Sequence, residues 1–468
     1  MDITKQDAFR LAAEAEQLDG AGRALLRKQR LKALVNYARE RSPYYREHYK
    51  DVPVDFTLTA LPTTDKAGLM GNYEAWPTDS AVKKEEVQAF LRQDAVTRGL
   101  FLGKYSVLTT SGTTGEPLIM LRDAYHNQIH NAIKLRRLYA ALPAEMRNIM
   151  DLTKYRAASL IMDDPRVSSY SSFLRTKQEA GANAENLQCV SVRLPTDKKV
   201  ALLNELQPDA VTCYPSEMVK MAVEQRAGRL HISPKLILCS AELLSAEDYR
   251  LLSETFGAII LNNYCMTEGG EVAFASGSPD LRLNDDWIII EPVDADGNPV
   301  TEPGSWSEGI FVTDLSNFIQ PVIRYYVNDQ IRIRAPESGD RNTFPILEIR
   351  GRTSRNITIC GQEITMALFE HLSENINGLL FLQYVQTGPD ALELRAVFSP
   401  GTDPAPVKAE TEREVRTLLD GSGCKGYFLR WSDGELIRNR NGGKLSSYID
   451  ATGEREEAGV NPWNATVI

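Results

Sequence analysis

A segment rich in threonine and glycine, residues 109–117, has the clearest chemical potential in this sequence. Four threonines, one serine and two glycines precede Pro117. Glycine lets a backbone approach a ligand closely and adopt positive φ, and successive amide groups can then form a concave anion-binding site. A strand is predicted at residues 105–108 and a helix at about 123–142. The segment therefore lies in the strand–loop–helix context typical of phosphate-binding loops.

The segment differs from the common nucleotide-binding loop at one position. That loop requires a lysine directly after its last glycine, whereas Glu116 follows Gly115 here. A polar surface turn is therefore the alternative interpretation, since clusters of Ser, Thr and Gly usually mark loops.

A second polar segment, residues 262–270, follows a predicted strand at 258–261. Ligands of open α/β sheets bind beyond the carboxyl ends of the strands. Tyr264 could stack on a base there, and Thr267 could donate a hydrogen bond to a phosphate. Glu268 could bind Mg²⁺, which prefers carboxylate and phosphate oxygens. A solvated turn that begins a helix is the alternative.

Three isolated polar residues could also contact a nucleotide. Asp329 ends a strand-like segment and could accept hydrogen bonds from both hydroxyls of a ribose, although aspartate is also common in turns. Arg352 could make a bidentate contact with ribose or phosphate oxygens. Lys444 follows two glycines, which suits a charge that must enter a site and leave it again. For Lys444 taken alone, an exposed surface lysine is the simpler interpretation.

Histidine and cysteine give little indication of a structural metal site. His126 and His130 lie four residues apart on a predicted helix and could present two metal ligands on one face. Asn127 replaces the glutamate of the zinc-protease motif, so buried or helix-surface histidines are the preferred interpretation. The six cysteines lack CxxC spacing, and we expect reduced, mostly buried thiols.

Alternating strands and helices in the middle of the chain must position these residues. Apolar segments predict strands at residues 210–214, 235–239 and 258–261, and helices at 216–226 and 245–256. This alternation indicates a parallel sheet with helices on both faces.

The length of 468 residues suggests two or three domains. We predict an α/β protein whose large N-terminal domain, residues 1–351, has parallel sheets flanked by helices. A β-rich subdomain is predicted at about 286–350. A small, mobile C-terminal α/β lid domain is predicted at 352–468, with the hinge near 350–356.

Charge and hydropathy exclude several classes of protein. Lys and Arg number 53 against 63 Asp and Glu, so the net charge is −10, which argues against a nucleic-acid-binding surface. No apolar stretch approaches the length that spans a bilayer, and residues 1–7 lack an apolar signal region. We therefore expect a cytoplasmic protein without membrane or nucleic-acid partners.

Taken together, the motifs resemble the adenylate-forming superfamily and, within it, the phenylacetate–coenzyme A ligase family. The family's Ser-Ser-Gly-Thr-Thr-Gly-x-Pro loop is similar to residues 110–117, and its Tyr-Gly-x-Ser/Thr-Glu motif to residues 264–268. Its Pro-x-Ile-Arg-Tyr-x-x-x-Asp motif is similar to residues 321–329. Its Gly-Arg hinge and C-terminal Gly-Lys are similar to residues 351–352 and 443–444. The resemblance covers nearly the whole chain.

The resemblance implies an AMP-forming acid–thiol ligase. A small carboxylic acid, expected to be aromatic, would react with ATP to give an acyl-adenylate and pyrophosphate, and the thiol of coenzyme A would then displace AMP. The implied catalytic residues are Lys444, Thr267 and Glu268, with Mg²⁺ on Glu268. The implied nucleotide-binding residues are Thr110, Ser111, Gly112, Thr113, Thr114, Gly115, Ala241, Glu242, Asn262, Asn263, Tyr264, Asp329 and Arg352. Tyr214 is implied at the acyl site, and the family also implies a possible homodimer.

Two departures from the family pattern keep alternatives open. Cys265 replaces the usual glycine beside the adenine, and Thr353, Ser354 and Arg355 stand where the hinge usually carries an acidic residue. The altered hinge favours one alternative, an adenylating enzyme that passes its acyl group to an amine or a carrier-protein thiol. A second alternative is a catalytically silent nucleotide-binding relative, against which Glu268 and Lys444 argue.

Overall fold

The computed structural model describes residues 3–93, 99–110, 117–165, 167–275, 280–340, 342–352, 356–366, 369, 372, 376–399, 401–438 and 445–452. Its helices include α1 (Lys5–Glu16), α2 (Gly20–Arg41), α3 (Pro43–His48), α4 (Lys66–Gly71), α5 (Lys84–Leu91), α6 (Ala124–Ala141), α7 (Ser168–Ala180), α8 (Thr196–Leu206), α9 (Pro215–Arg226), α10 (Ala246–Phe256) and α11 (Pro404–Gly421). None of these helices is both long enough and apolar enough to cross a membrane.

The strands follow the same chain order. They are β1 (Ser106–Thr109), β2 (Ile119–Arg122), β3 (Ala157–Ile161), β4 (Leu187–Ser191), β5 (Ala210–Cys213), β6 (Leu236–Ser240), β7 (Ile259–Met266), β8 (Gly270–Ala275), β9 (Leu281–Leu283), β10 (Ile288–Val293), β11 (Gly309–Asp314), β12 (Tyr325–Val327), β13 (Asp329–Arg334), β14 (Ile346–Arg352), β15 (Asn356–Ile359), β16 (Gln362–Thr365), β17 (Leu379–Gly388), β18 (Ala391–Phe398), β19 (Phe428–Trp431) and β20 (Tyr448–Asp450).

Nine strands of the described chain form one large mixed sheet, in the order β13-β14-β9-β8-β7-β6-β5-β3-β4. The strands β4, β3, β5, β6 and β7 pair in parallel. The strands β8, β9, β14 and β13 extend the sheet through antiparallel pairs. The predicted α/β class is confirmed, and the three strands predicted in the centre of the chain are β5, β6 and β7.

Side chains that alternate along the parallel strands fill a hydrophobic layer on each face of the sheet. On β6, Ile237 and Cys239 belong to the layer that α8, α9 and α10 cover. Leu236 and Leu238 of the same strand belong to the opposite layer, which α6 and α7 cover. Burial on both faces explains why these strands are continuously apolar in sequence.

Helices beside the site begin and end at residues that satisfy their terminal backbone groups. The Asp123 carboxylate accepts a hydrogen bond from the His126 amide at the start of α6. The Ser245 hydroxyl accepts one from the Asp248 amide at the start of α10. Gly257 ends α10 in the left-handed conformation, with φ of 62°. Such caps fix where a helix starts and stops.

The region after residue 286 is rich in antiparallel strands, as predicted. β10, β11 and β12 form a three-stranded sheet. Apolar side chains of β10 and β11 pack against those of β8 and β9. This packing places the three-stranded sheet beside the antiparallel part of the large sheet.

The C-terminal elements have a hydrophobic core of their own. Four strands pair in the order β19-β18-β17-β20, and Val407, Val415 and Leu419 of α11 belong to the same cluster of buried side chains. Strand β14 of the large sheet continues through Arg352. The domain boundary after residue 351 therefore stays a prediction.

Candidate active site

The turn between β7 and β8 carries two of the predicted catalytic residues, Thr267 and Glu268, whose side chains are half-buried. The sequence prediction ended this strand at residue 261. That boundary is wrong, because residues 262–266 continue β7 and pair with β6 and β8. The polar residues before the turn are therefore fixed in the sheet, and a hairpin rather than a helix follows them.

A buried arginine fixes the main chain of this turn. The guanidinium of Arg122, at the end of β2, donates hydrogen bonds to the carbonyl oxygens of Thr267 at 2.8 Å and Met266 at 3.2 Å. Burial lowers the pKa of Arg122, while Asp314 and Glu271 favour its charged form. A charged donor held in the interior orients the turn without contributing a side chain to it.

Tyr264 and Asp329 meet although 65 positions separate them in the chain. The Tyr264 hydroxyl donates a hydrogen bond to the Asp329 carboxylate. Asp329 opens β13, and its Cα faces that of Arg352 on β14. The structure thus brings together three positions that the resemblance assigns to ATP. Of Arg352, only the backbone is described.

A hydrogen-bond network supports the first residues of β8. The Glu271 amide donates to Nδ1 of His130 at 2.9 Å, and the Asn263 side-chain amide donates to the Glu271 carboxylate at 2.6 Å. Asn263 is buried, and its Oδ1 has no hydrogen-bond partner among the described residues. Asn263 therefore contacts the hairpin directly, and its predicted role in nucleotide binding stays a prediction.

The two histidines of α6 are buried and stacked, with ring centroids 4.2 Å apart. His130 accepts at Nδ1, so its Nε2–H donates to the Ser316 hydroxyl at 2.9 Å, and Ser316 donates to Asp314 at 2.6 Å. His126 Nε2 lies 2.9 Å from the other Asp314 oxygen.

The cluster of His126, His130 and Asp314 has the residue types of a metal site. Burial, followed by the neighbouring His130, lowers the pKa of His126 to about 3, so His126 is neutral and donates to Asp314. These bonds engage both carboxylate oxygens of Asp314 and the Nε2 atoms of both rings. The network is therefore held together by hydrogen bonds, in agreement with the preferred interpretation of buried histidines.

The threonine- and glycine-rich segment connects two strands rather than a strand and a helix. Thr109 of β1 pairs with Ile119 of β2, because residues 118–121 are apolar and a buried strand forms over Ile119–Arg122 before α6 begins. Thr110 donates its amide to the Leu118 carbonyl at 3.0 Å, and its hydroxyl accepts the Leu118 amide at 3.0 Å. The predicted strand–loop–helix context is wrong, and the segment starts from a hydrogen-bonded hairpin.

Glu242 connects the large sheet to the C-terminal region. It follows Ala241, which adopts positive φ of 73° after β6. One oxygen of the Glu242 carboxylate accepts the Ser216 amide at 3.2 Å, and the other accepts the Leu445 amide at 2.9 Å. Both oxygens therefore bind backbone amides, one of them from the residue that follows Lys444.

Tyr214 lies fully buried between α7 and the sheet. Its hydroxyl oxygen is 3.1 Å from the Ser169 hydroxyl and 3.5 Å from the Met162 amide. Burial raises the pKa of Tyr214, so the phenol is neutral and can donate a hydrogen bond. Its placement at the acyl site stays a prediction.

Several predicted site residues lie outside the described residues. These are Ser111, Gly112, Thr113, Thr114, Gly115 and Lys444. The roles assigned to them, and the nucleotide-binding roles of Ala241 and Asn262, stay predictions.

The sequence reasoning missed Arg122 and a buried ion pair between Glu217 and Arg438. A signal for Arg122 exists, because a lone arginine that ends an apolar strand must find a partner if it is buried. No local signal marks Glu217 or Arg438, since a single charged residue in a predicted helix or in a polar segment is usually exposed.

Comparison with known proteins supports the motif resemblance. No protein-family model matches the sequence. A phenylacetate–coenzyme A ligase of Thermus thermophilus is 25% identical over 334 residues, which are 68% of this chain and 67% of the relative. A phenylacetate–coenzyme A ligase of Aromatoleum evansii is 25% identical over 377 residues, 74% of each chain.

Solved structures of a 2-hydroxyisobutyryl-CoA ligase share the fold at 19% identity. The structure in the postadenylation state, in complex with 2-HIB-AMP, has a TM-score of 0.62 and matches 92% of this chain and 90% of its own. The structure of that ligase in the thioesterification state, with 2-HIB-AMP and CoA, has a TM-score of 0.52 over the same shares.

Proposed function

Because the chain belongs to the adenylate-forming superfamily as a phenylacetate–coenzyme A ligase-like member, we propose that it activates a small carboxylic acid with ATP. The acid's oxygen attacks the α-phosphorus of ATP, and pyrophosphate leaves. The thiol of coenzyme A then attacks the acyl carbon of the adenylate, and AMP leaves. The protein is thus an AMP-forming acid–thiol ligase.

One observation carries the proposal, namely the convergence of the predicted nucleotide residues at one place. Tyr264 bonds Asp329, Asp329 pairs with Arg352 along the backbone, and Tyr264 lies three residues before the turn that carries Thr267 and Glu268. Tyr264 and Asp329 are 65 positions apart in the chain, so their meeting is a property of the fold. Asp329 is the ribose-binding carboxylate in this proposal.

Phosphoryl transfer depends on positioning and on neutralising charge more than on covalent chemistry by the protein. Thr267 contacts the α-phosphate in the proposed mechanism, and the segment that begins at Thr110 holds the β- and γ-phosphates. Lys444 neutralises charge that develops in the transition state. The Ala241–Glu242 step and the Tyr264 ring surround the adenine.

The residues present fit a magnesium ion. Glu268 offers carboxylate oxygens in a half-buried turn, and Mg²⁺ is usually held by one or two carboxylates together with substrate phosphates. Bound there, the ion would neutralise phosphate charge. Arg122, which fixes the carbonyls of Met266 and Thr267, keeps the Glu268 main chain in place.

An aromatic acid is the proposed substrate, with coenzyme A as the acceptor. The names of the sequence relatives support both. The ligase that shares the fold takes a small branched hydroxy acid instead, so the acid panel below includes both kinds. The altered hinge at residues 353–355 keeps an amine or a carrier-protein thiol as the alternative acceptor.

Acid-dependent exchange of labelled pyrophosphate into ATP tests the first step without coenzyme A. With Mg²⁺, we expect exchange with phenylacetate or another acid of a panel of aromatic, aliphatic, hydroxy and amino acids. Lys444→Ala should lower exchange about 10²-fold or more, the loss typical of a group that stabilises transition-state charge. ATP binding, measured by calorimetry, should remain.

The exposed Lys425 of the same C-terminal region provides the matched control, and Lys425→Ala should exchange normally. Full activity of Lys444→Ala would show that the proposed mechanism is wrong. Once an acid is known, stimulation of AMP release by coenzyme A identifies the acceptor. Release that depends on an amine or a carrier protein instead would favour the alternative.

A further inference from the structure

The buried carboxylate of Glu217, on α9, forms ion pairs with three cationic side chains. Glu217 has no exposed surface. Its Oε2 lies 2.5 Å from Lys199 Nζ of α8, and its Oε1 lies 3.0 Å from Lys220 Nζ, one turn further along α9. The third cation is Arg438, whose guanidinium donates to the same Oε1. Lys199 and Lys220 belong to the large N-terminal region, whereas Arg438 belongs to the C-terminal region.

A second contact joins the same two regions beside the first. The Leu445 amide donates to Glu242, and the other oxygen of Glu242 accepts the amide of Ser216, the residue before Glu217. Arg438 and Leu445 also form an antiparallel β-bridge with each other. Arg438 and Leu445, the described residues that flank positions 439–444, are therefore both attached near the start of α9.

We propose that Arg438 is a positioning residue for the adenylation step. Its ion pair with Glu217, together with the Leu445–Glu242 hydrogen bond, holds the backbone on either side of residues 439–444 against the large region. Lys444 directly precedes Leu445 in the sequence, so the contacts set where Lys444 can reach. The inference rests on the proposed function, because that function assigns Lys444 to adenylation.

The charges around Glu217 make the contact releasable. Burial alone would raise the pKa of Glu217, but Lys220, Arg438 and Lys199 lower it to about 2, so the carboxylate is ionised. When Arg438 leaves, Lys199 and Lys220 still compensate the buried charge, and no uncompensated ion remains in the interior. The positive charges of Lys199 and Lys220 also repel Arg438. This repulsion offsets part of the electrostatic attraction between Arg438 and Glu217.

The positions of the two regions agree with an Arg438–Glu217 contact that forms during the adenylation step. The chain superposes better on the postadenylation structure of the 2-hydroxyisobutyryl-CoA ligase than on its thioesterification structure, with TM-scores of 0.62 and 0.52 over equal shares of the chain. Arg438 and Leu445 are engaged in this arrangement. We therefore expect adenylation to depend on them more than acyl transfer does.

Separate assays of the two half-reactions test the inference on the full-length protein. Arg438→Gln should lower pyrophosphate exchange about tenfold to a hundredfold, as small misplacements of a catalytic group do. Formation of the coenzyme A thioester from the chemically prepared acyl-adenylate of the same acid should stay within about twofold of wild type. Phenylacetate is the first acid to use, followed by the acid that supports the fastest exchange.

Arg430→Gln is the matched control, because Arg430 pairs with Glu393 inside the C-terminal region at 2.7 Å. It should leave both half-reactions unchanged. Arg438→Lys should restore part of the exchange, since it keeps the charge and loses the planar fork. Substitution at Arg438 is preferred over Glu217→Gln, which would leave the buried Lys199 and the half-buried Lys220 without their carboxylate and endanger folding.

Three results would overturn the inference. Pyrophosphate exchange by Arg438→Gln at the wild-type rate would overturn the inference about Arg438 but would not affect the proposed function. An equal loss in both half-reactions would show a general structural role for Arg438. Absence of exchange by the wild-type protein with every acid would count against the proposed function itself, and the inference would fall with it.

Discussion

Asp329 shows how the role of one side chain depends on a neighbour that is remote in sequence. As a single residue it resembles many turn aspartates. In the folded chain it opens β13, lies opposite Arg352 and accepts a hydrogen bond from Tyr264. In the proposed function, that bond would hold the carboxylate in one orientation before ribose binds and so reduce the entropy lost on binding.

Tyr264→Phe removes only the hydroxyl that binds Asp329, so it tests whether this hydrogen bond orients the carboxylate. We expect the KM for ATP to rise about tenfold, or about 1.4 kcal/mol, which is within the usual range for a hydrogen bond. The kcat should change little, because the role proposed for this tyrosine is in nucleotide binding. Steady-state kinetics with varied ATP provides the measurement.

Tyr326→Phe is the control, since Tyr326 is 42% exposed and lies three residues before Asp329. It should leave the KM for ATP unchanged. A fall in kcat with an unchanged KM in Tyr264→Phe would instead assign the tyrosine to the chemical step.

At the scale of elements, the β7–β8 hairpin shows why a strand boundary changes the interpretation of a motif. Pairing with β6 and β8 carries β7 five residues beyond its predicted end. Gly270 opens β8 with φ of 64°, and a Cβ there would lie 2.4 Å from the His130 ring. The β7–β8 hairpin therefore packs closely against His130 of α6 at Gly270, where no larger residue has room.

Gly270→Ala should therefore destabilise the protein strongly. The left-handed backbone costs about 1–2 kcal/mol with a Cβ, and the clash with a hydrogen-bonded ring adds about 1–3 kcal/mol. Gly257→Ala is a matched control, because Gly257 has φ of 62° and open space where its Cβ would stand. Urea unfolding should show a larger loss for Gly270→Ala. Equal losses would mean that the His130 ring moves aside freely.

At the scale of the whole molecule, buried ionisable groups connect the folded state to pH. Burial, followed by the neighbouring His130 and Arg122, lowers the pKa of His126 to about 3, although the Asp314 carboxylate acts in the opposite direction. In the unfolded chain a histidine titrates near its ordinary value of about 6.5. The unfolded state therefore binds a proton as the pH falls through that value, while the native state does not.

This difference predicts that the free energy of unfolding falls on acidification from pH 8 to pH 5. The contribution of His126 is about 2 kcal/mol over that interval, present above the unfolded pKa and lost below it. His126→Gln can keep the hydrogen bond to Asp314 and cannot titrate, so its stability should depend less on pH by about that amount. Denaturant unfolding at pH 8, 7, 6 and 5 measures both proteins. Parallel curves for the two would contradict the prediction.

The sequence by itself determined the fold class and the identity of most candidate residues. Continuous apolar segments predicted β5, β6 and β7, because strands covered on both faces need apolar side chains at every position. The Thr267–Glu268 and Asp329 motifs were found from residue types and order. These properties are local, so they can be read from a window of a few residues.

Tertiary structure decided which of these residues meet and what supports them. The hairpin context of residues 109–117 depends on β1 pairing with β2, and the end of β7 depends on pairing with β6 and β8. The bonds from Arg122 to the Thr267 turn and from Arg438 to Glu217 join residues 145 and 221 positions apart. A contact between such distant positions exists only after the chain has folded. For that reason Arg122 and Arg438, which the sequence analysis did not single out, have partners that only the folded chain brings to them.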